Sequence, residues 1–232
     1  MREGALDKRL YSAAQFVRQD AVFADIGTDH AYLPIFLLRE GRIRRAFCSD
    51  VNEGPLNKAK ENAIDSGIVS GIEFYLTDGA AELSGKGITD FAICGMGGEL
   101  IARIIAECDF LRERGIRLIL QPMTRHAALR RALYLMGYRP VAEHYSVADG
   151  KSYVTFVYEY SSVSLDLDPV TEEFGEREFS QGEREDVRAY LLSRRKSLSR
   201  TLSGKRTSGR DTAREAALLY EIDLRLSELR TF

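Results

Sequence analysis

The sequence predicts an α/β fold in which a seven-stranded, largely parallel sheet carries helices on both faces, followed by a C-terminal antiparallel helical hairpin. Short apolar runs alternate with helical patterns through the first two thirds of the 232 residues. The last two runs are joined by a turn sequence at 148–151 rather than by a helix. After residue 160 the chain becomes polar and acidic, and two amphipathic segments follow.

Seven apolar runs predict the strands of this sheet. The first five are short, rich in β-branched or aromatic residues, and end near Gly, Asp or Pro, which is typical of buried parallel strands. Seven strands that end in an antiparallel hairpin form the Rossmann-like arrangement of class I methyltransferases, although spacing alone does not distinguish it from other doubly wound folds. The runs are residues 21–27, 46–51, 72–79, 90–98, 116–122, 140–147 and 153–160.

Four helical patterns lie between the first six runs. Pro34 and Pro55 stand in the first turns of two of them, and Gly41 and Gly67 follow their last turns. The helices are predicted at residues 31–41, 54–67, 99–111 and 125–137.

Beyond residue 160 the sequence predicts an appendage of about 70 residues. Residues 161–183 read as an acidic connector, and helices are predicted at 184–202 and 212–229, with a Gly-containing loop between them. The predicted domains are therefore 1–160 and 161–232, the second a coiled-coil-like hairpin. The predicted inner face of the first helix carries Val187, Leu191, Leu198 and Leu202. That of the second carries Ala217, Tyr220 and Leu224, flanked by Leu218 and Ile222.

Composition restricts the class of protein. A hydrophobic fraction of 44% supports a sizeable core. Three cysteines without C-x-x-C spacing predict free thiols in a reducing cytoplasm, and the three histidines match no metal-ligand spacing. No apolar run is long enough to span a membrane, and the first residues have no apolar signal core. We therefore expect a soluble cytoplasmic protein without a metal.

The first strand ends in a candidate cofactor motif, ADIGTDH at residues 24–30. Ligands of open α/β sheets bind at the carboxyl ends of the strands, and Gly27 there permits close approach of the backbone. The dinucleotide pattern G-x-G-x-x-G fails, because Asp29 and Tyr32 occupy its other glycine positions. S-adenosylmethionine carries positive charge and no phosphate, so carboxylates at Asp25 and Asp29 suit it. The alternative is a helix N-cap by Thr28 or Asp29.

The next two strands also end in acidic residues. Asp50 lies 23 residues after Gly27, where an acidic side chain accepts hydrogen bonds from ribose hydroxyls, and Asn52 is placed to assist. Asp78 would accept from an adenine amino group and Gly79 would permit a turn. The alternatives are a helix cap at Asp50 and an ordinary D-G turn at Asp78.

The fourth strand ends in CGMGG, residues 94–98, immediately before a helix. Three glycines in four residues leave little side-chain bulk, so a flat ligand can approach the backbone. Gln121 and Pro122 close the fifth strand and would form a wall of the same cleft. Four strand ends with compatible residues favour a nucleoside-type cofactor.

These motifs, with DGAAEL, LILQPMTRHAALRRAL and KSYVTFVYEY, resemble the TrmK family of bacterial tRNA (adenine-22-N1)-methyltransferases. The resemblance runs from about residue 6 to residue 160. It implies S-adenosylmethionine as cofactor and methylation of N1 of an adenine in the tRNA D-arm, with Asp29 as a candidate catalytic carboxylate. Family members often have Gln-Pro-Asn after the fifth strand, where this chain has Gln121, Pro122 and Met123. The implied cofactor-binding residues are Asp25, Gly27, Asp29, His30, Asp50, Asn52, Asp78, Gly79, Gly95, Met96 and Gly97.

The net charge of −2 argues against a nucleic-acid partner, but the charge is segregated. Residues 188–210 contain eight basic and no acidic side chains, whereas residues 165–186 contain nine acidic and two basic ones. The basic helix is therefore a candidate tRNA-binding surface, unless it pairs with its acidic neighbours. Its candidate RNA-binding residues are Arg194, Arg195, Lys196, Arg200, Lys205 and Arg206. Scattered basic residues could add contacts near the cleft: Arg2, Lys8, Arg9, Arg42, Arg44 and Arg45.

Alternative functions stay open at this point. They are a class I methyltransferase acting on another RNA or a small molecule, and a non-catalytic RNA-binding protein with a degenerate methyltransferase domain. A nicotinamide-dependent oxidoreductase is disfavoured by Asp29 and Tyr32. The hairpin could also form a dimer; the sequence leaves the oligomeric state open and favours a monomer.

Overall fold

A mixed sheet forms the centre of the molecule in the computed structural model, which describes residues 6–229. Its strand order is β3-β2-β1-β4-β5-β7-β6-β8, so seven core strands are joined by a short eighth strand at one edge. The strands are β1 (Ala21–Ile26), β2 (Ile43–Asp50), β3 (Ile72–Leu76), β4 (Asp90–Gly97), β5 (Arg117–Thr124), β6 (Tyr138–Ala148), β7 (Lys151–Tyr160) and β8 (Ser180–Gln181).

Eight α-helices accompany the sheet in the described part of the chain. The four predicted between the strands are present, and α7 continues five residues beyond its predicted end. The helices are α1 (Lys8–Phe16), α2 (Tyr32–Arg39), α3 (Glu53–Asp65), α4 (Gly98–Ala106), α5 (His126–Leu135), α6 (Pro169–Phe174), α7 (Arg184–Thr207) and α8 (Ala213–Glu228).

The order of the parallel strands reverses next to β1. The chain moves from β1 outward to β2 and β3, then returns to add β4 and β5 on the other side of β1. Phe23, Phe47 and Phe91 in these strands are fully buried, so both faces of the sheet are covered. A reversal of this kind leaves a crevice at the carboxyl ends of the two central strands, where ligands of such sheets bind.

The sheet ends in the predicted antiparallel hairpin. β6 and β7 pair antiparallel from Tyr138 and Tyr160 to Ala148 and Lys151. Asp149 and Gly150 at the turn have φ angles of 49° and 71°, as a two-residue hairpin turn of type I′ requires. This confirms the antiparallel hairpin predicted from the sequence, and β7 is joined to the parallel strands by antiparallel pairing with β5.

The predicted connector, residues 161–183, is a folded part of the structure. It contains α6, whose first turn is capped by Asp168, and β8, which pairs with β6. Its anchor is Arg130 of α5, which is fully buried. Arg130 donates to both carboxylate oxygens of Glu143, at 2.8 and 2.7 Å, and to the backbone carbonyls of Glu172 and Glu173 at 3.0 and 2.7 Å.

α7 and α8 form the predicted antiparallel pair, but the buried face of α8 differs from the prediction. Ion pairs join Arg195 to Asp223 and Lys205 to Glu215, which fixes the antiparallel direction. Leu218 and Ile222 are buried, whereas Tyr220 is 68% exposed. The prediction that Ala217, Tyr220 and Leu224 line the inner face was wrong, because α8 packs against α6 as well as α7 and turns its Leu218–Ile222–Leu226 stripe inward.

We expect Arg130→Met to destabilise the fold by about 3–5 kcal/mol, since it leaves the Glu143 carboxylate buried without its cation. Adding Glu143→Leu should recover part of the loss, because the uncompensated charge is then also removed. Urea denaturation measures both free energies of unfolding.

The matched control is Arg44→Met. Arg44 pairs with Asp20 at 2.8 Å, but both side chains are more than half exposed, so its removal should cost under about 1 kcal/mol. Equal losses for Arg130→Met and Arg44→Met would contradict the role given to the buried pair.

Candidate active site

A cleft of about 940 Å³ opens at the carboxyl ends of the parallel strands. The ends of β1, β2, β3 and β4 all contribute to its lining, together with α1 and the residue after Pro122 in β5. Its position is the crevice that the strand reversal beside β1 creates. The predicted cofactor residues Asp25, Gly27, Asp29, His30, Asp50, Asn52, Asp78, Gly79, Gly95 and Met96 all line this cleft. Gly97 is adjacent, at the end of β4.

The end of β1 supplies a buried carboxylate. Asp25 is 5% exposed and accepts a hydrogen bond of 2.6 Å from Thr28 Oγ1. Burial raises the pKa of Asp25 to about 6; the Thr28 hydrogen bond opposes the shift and nearby Asp50 adds to it. Gly27 has a φ of 68°, and a Cβ at this position would collide with the methyl group of Met96. The Met96 methyl group therefore occupies the space that a side chain at residue 27 would need, and only glycine fits there without a shift of Met96.

Asp29 and His30 project from the turn between β1 and α2. Asp29 has a φ of 51° and its side chain is 67% exposed, with Oδ1 3.7 Å from His30 Nε2. The other ring nitrogen of His30, Nδ1, is buried and has no hydrogen-bond partner among residues 6–229. A buried nitrogen of this kind needs a partner, so it marks where a ligand group would bind.

Asp50 is held by the backbone at the end of β2. Its side chain accepts from the backbone N–H of Asn52 at 2.9 Å and, more weakly, from that of Asp29 at 3.4 Å. Asp50 is 8% exposed. Asn52 precedes α3 but makes no side-chain cap, so its amide is available to the cleft. The contact with Asn52 also shapes the turn that leads into α3, as the predicted alternative of a cap at Asp50 expects.

The end of β3 places Asp78 at the rim. Its Oδ1 lies 3.6 Å from Arg103 Nη2 of α4, and both side chains are about half exposed. Gly79 has a φ of 80°, and its carbonyl accepts a hydrogen bond of 3.1 Å from Ser49 Oγ. Arg103 also lines the cleft and was not among the residues identified from the sequence.

A break in the pairing of β4 forms the opposite wall. The register with β5 shifts at Gly95, which has a φ of 84° and follows the last regular pair, Cys94 and Gln121. The fully buried Gln121 accepts from the Gly95 backbone N–H at 3.2 Å and from Arg9 Nη1 at 2.8 Å. Met96, the next residue, contacts Gly27 across the cleft.

One wall of the cleft, formed by α1 and its cap, was not predicted from the sequence. Asp7, Arg9 and Leu10 line it from this helix, and Tyr153 lines it from β7. Asp7 caps the helix by accepting from the backbone N–H of Leu10 at 2.7 Å. The signal was present, since Asp7 precedes apolar residues at helical spacing, Leu10, Ala13, Ala14 and Val17. Of the scattered basic residues considered, Arg9 reaches the cleft, and Arg2 lies outside the described residues.

The basic residues of α7 divide into two groups. Arg194 pairs with Glu173 of α6, Arg195 with Asp223 and Lys205 with Glu215. Lys196, Arg200 and Arg206 have no ion pair or hydrogen bond to the side chains of residues 6–229. Pairing with acidic neighbours therefore accounts for three of the six, and three are available to a partner.

Two further features concern metal and membrane. Within residues 6–229, no group of three or more His, Cys, Asp or Glu side chains is arranged to hold a metal ion. None of the helices described there is both long enough and apolar enough to cross a membrane.

Comparison with known proteins identifies the family. A family model described as a methyltransferase domain matches residues 6–156. A Bacillus subtilis protein, tRNA (adenine(22)-N(1))-methyltransferase, is 38% identical over 174 residues, which cover 71% of this chain and 72% of the relative.

Solved structures agree over almost the whole chain. A Streptococcus pneumoniae protein in complex with S-adenosyl-L-methionine is 31% identical with a TM-score of 0.79, covering 96% of this chain and all of the other. TrmK from M. capricolum, bound to the cofactor product S-adenosyl-homocysteine, is 26% identical with a TM-score of 0.73 and coverages of 97% and 96%. The protein described here belongs to the TrmK family of tRNA (adenine(22)-N(1))-methyltransferases.

Proposed function

We propose that this protein transfers a methyl group from S-adenosylmethionine to N1 of adenine 22 in the D-arm of tRNA. The observation that supports it most strongly is the meeting of four strand ends in one cleft, in a chain whose B. subtilis relative has this named activity. The parts of the proposal are the cofactor site, the target-base side and the tRNA-binding surface.

The cleft suits a cationic nucleoside cofactor. Asp25, Asp29, Asp50 and Asp78 make it acidic, which favours a ligand with positive charge and disfavours a pyrophosphate. The buried His30 Nδ1 lacks a partner among the described residues, and the Asp50 oxygens keep lone pairs that ribose hydroxyls can use. We assign the ribose to Asp50 and Asn52, the adenine to Asp78 and Gly79, and the amino-acid part to Asp25, Gly27 and His30.

The reaction requires positioning more than acid–base catalysis. S-adenosylmethionine supplies a methyl group on a sulfonium, which is open to attack by a nucleophile. Adenine N1 has its own lone pair, so no proton need leave before the N–C bond forms. As that bond forms, the S–CH3 bond breaks with its electron pair left on sulfur, S-adenosylhomocysteine is the leaving group, and the positive charge passes to the purine ring. We assign Asp29 to this step, because its exposed carboxylate in the cleft favours the developing cation. Holding N1 in line should supply most of the rate.

We assign the target base to the wall formed by Gly95, Met96, Gly97 and α1. Gln121 holds both the Gly95 backbone and the Arg9 guanidinium there, so the polar groups on this side are fixed before the base arrives. Tyr153 and the 45%-exposed Met123 offer flat or apolar surface for a base. The thioether of Met123 lies 3.7 Å from the Gln121 side-chain nitrogen, where the family resemblance implies an Asn.

The tRNA-binding surface is assigned to the appendage, residues 161–232. Lys196, Arg200 and Arg206 are its cations without partners in residues 6–229, and they lie on the long helix α7. Phosphate contacts of this kind orient an RNA without reading its sequence. N1 lies on the Watson–Crick edge of adenine, so the target base must leave its pair or stack before it can react. That step would cost a few kcal/mol, which the phosphate contacts offset.

The test of the function is methylation of unmodified tRNA transcripts with labelled S-adenosylmethionine, followed by mapping of the product by mass spectrometry. We expect one N1-methyladenine at position 22, and none in a transcript with guanine there. Methylation of another position or another RNA would favour the alternative substrate, and binding without transfer would favour a non-catalytic protein.

Cofactor affinity should fall as the pH drops through about 6. Asp25 has a pKa of about 6 in the folded protein, so below that pH it becomes neutral and no longer attracts the cationic ligand. Asp25→Asn should weaken binding at pH 7.5 at least tenfold and remove most of this pH dependence. Calorimetry between pH 5 and 8 measures both effects.

The same substitution should stabilise the ligand-free protein above pH 6. A raised carboxyl pKa means that the folded state loses stability as the pH rises from about 4 to 6, by up to about 3 kcal/mol. Asp20→Asn, which makes the same chemical change at an exposed position, is the control. Cofactor binding whose pH dependence is unchanged in Asp25→Asn would refute the assignment to Asp25.

Replacing Lys196, Arg200 and Arg206 together by Ala should weaken tRNA binding and reduce the slope of log K against log salt by about 3, one for each phosphate contact. Cofactor affinity should not change. Fluorescence anisotropy with labelled tRNA at several salt concentrations measures the slope.

The matched control replaces Arg39, Lys60 and Arg114, three exposed basic residues outside the appendage, by Ala. The change in net charge is the same, and Arg39 and Arg114 precede the amino ends of β2 and β5, away from the cleft. Equal loss of affinity in both triple variants would indicate a general charge effect and would remove the specific role of α7.

A further inference from the structure

Hydrogen bonds connect α7 to the end of β5. Tyr190, in the second turn of α7, has its hydroxyl 3.2 Å from His126 Nδ1. The other ring nitrogen of His126, Nε2, lies 3.2 Å from the backbone carbonyl of Pro122. The two rings lie nearly parallel, with centroids 6.1 Å apart, and Tyr190 is 2% exposed. The connection is therefore part of the buried base of the hairpin.

The direction of each hydrogen bond follows from the protonation of His126. Burial, together with the charges of Arg130 and Arg194, lowers the pKa of His126 to about 4, so the ring is neutral near pH 7. The Pro122 carbonyl can only accept, so Nε2 must carry the proton. Nδ1 is then an acceptor, and the Tyr190 hydroxyl donates to it. Tyr190 thus fixes the tautomer in which His126 donates to Pro122.

The Pro122 carbonyl leads directly to the cleft. It accepts a second hydrogen bond, of 3.1 Å, from Nε2 of the buried Gln121 side chain. That bond sets the orientation of the amide, whose Oε1 accepts from the Gly95 backbone and from Arg9. Six groups therefore form one network, and its two ends are α7 and the wall of the cleft.

We propose that Tyr190 and His126 are positioning residues for methyl transfer: through the Pro122 carbonyl they hold the Gln121 amide in the orientation that presents Gly95 and Arg9 to the target base. This inference rests on the proposed function of the cleft. Its consequence is that the helix assigned to tRNA binding and the wall assigned to the base are joined by hydrogen bonds rather than by packing alone.

Tyr190→Phe tests this with a minimal change, because the ring keeps its contacts with His126 and Tyr145 and only the hydroxyl is lost. We expect kcat to fall at least threefold, while the KM for tRNA and the Kd of S-adenosylmethionine stay within twofold. In the cofactor-free protein, the Gly95 amide resonance should shift in a ¹⁵N–¹H spectrum, because its acceptor Gln121 is reoriented.

Tyr134→Phe is the matched control. Tyr134 lies on α5, as His126 does, but its hydroxyl donates to Glu176 in the segment before β8, away from Pro122. This variant should leave kcat and the Gly95 resonance unchanged. His126→Ala should reduce kcat at least as much as Tyr190→Phe, and the double variant should be no slower than His126→Ala, because both changes break one chain.

Unchanged kcat and an unchanged Gly95 resonance in Tyr190→Phe, with a parent enzyme that methylates tRNA, would overturn the inference. A double variant whose loss of kcat equals the product of the losses in Tyr190→Phe and His126→Ala would also overturn the inference. A parent enzyme that methylates no tRNA would instead refute the proposed function, and the Gly95 resonance would then decide whether the hydrogen-bonded link exists.

Discussion

The buried ion pair between Arg130 and Glu143 joins the two parts of the molecule. Arg130 lies on α5 and Glu143 on β6, and the guanidinium also stands 4.6 Å above the Phe156 ring of β7. Its remaining N–H groups donate to the backbone of α6, and Tyr158 donates to Glu143 at 2.7 Å. A buried charge is stable only when its donors are satisfied in this way, so α6 is held where these carbonyls must lie.

Fixing α6 determines where the appendage lies. Glu172 and Glu173, whose carbonyls bind Arg130, use their side chains to pair with Arg214 of α8 and Arg194 of α7. The hairpin is thereby attached to the sheet at both of its helices, and Tyr190 reaches His126 from this attachment. The same six-residue helix therefore connects the buried charge, the hairpin and, through the hydrogen bonds from Tyr190, the cleft.

The sheet and the strand-end residues could be predicted from the sequence because they depend on local signals. Buried strands read as short apolar runs, and the carboxyl ends of parallel strands meet, so Asp25, Asp50 and Asp78 fall in one cleft. α6 and β8 were missed because they are short and polar, whereas α1 has a visible helical pattern after Asp7 that was not used. Arg9 could not be assigned either, since its partner Gln121 is 112 residues away in the chain.

The charge of the appendage was predicted only in part, because the partners of several of its basic residues also lie on other helices of the fold. Eight basic residues in one segment are visible in the sequence, but their pairing depends on which acidic residues the fold brings near. Arg194 is paired because Arg130 holds α6 beside α7, whereas Lys196, two residues further along α7, has no ion pair within residues 6–229. The burial of Tyr190 and the exposure of Tyr220 likewise depend on tertiary packing, which the helical spacing alone does not show.

We propose that the cleft and the hairpin bind one tRNA together. Hydrogen–deuterium exchange with and without unmodified tRNA, in the presence of S-adenosylhomocysteine, tests this joint binding. We expect tRNA to slow exchange both in residues 95–98 and along residues 196–206. Protection of only one of these regions would contradict joint binding.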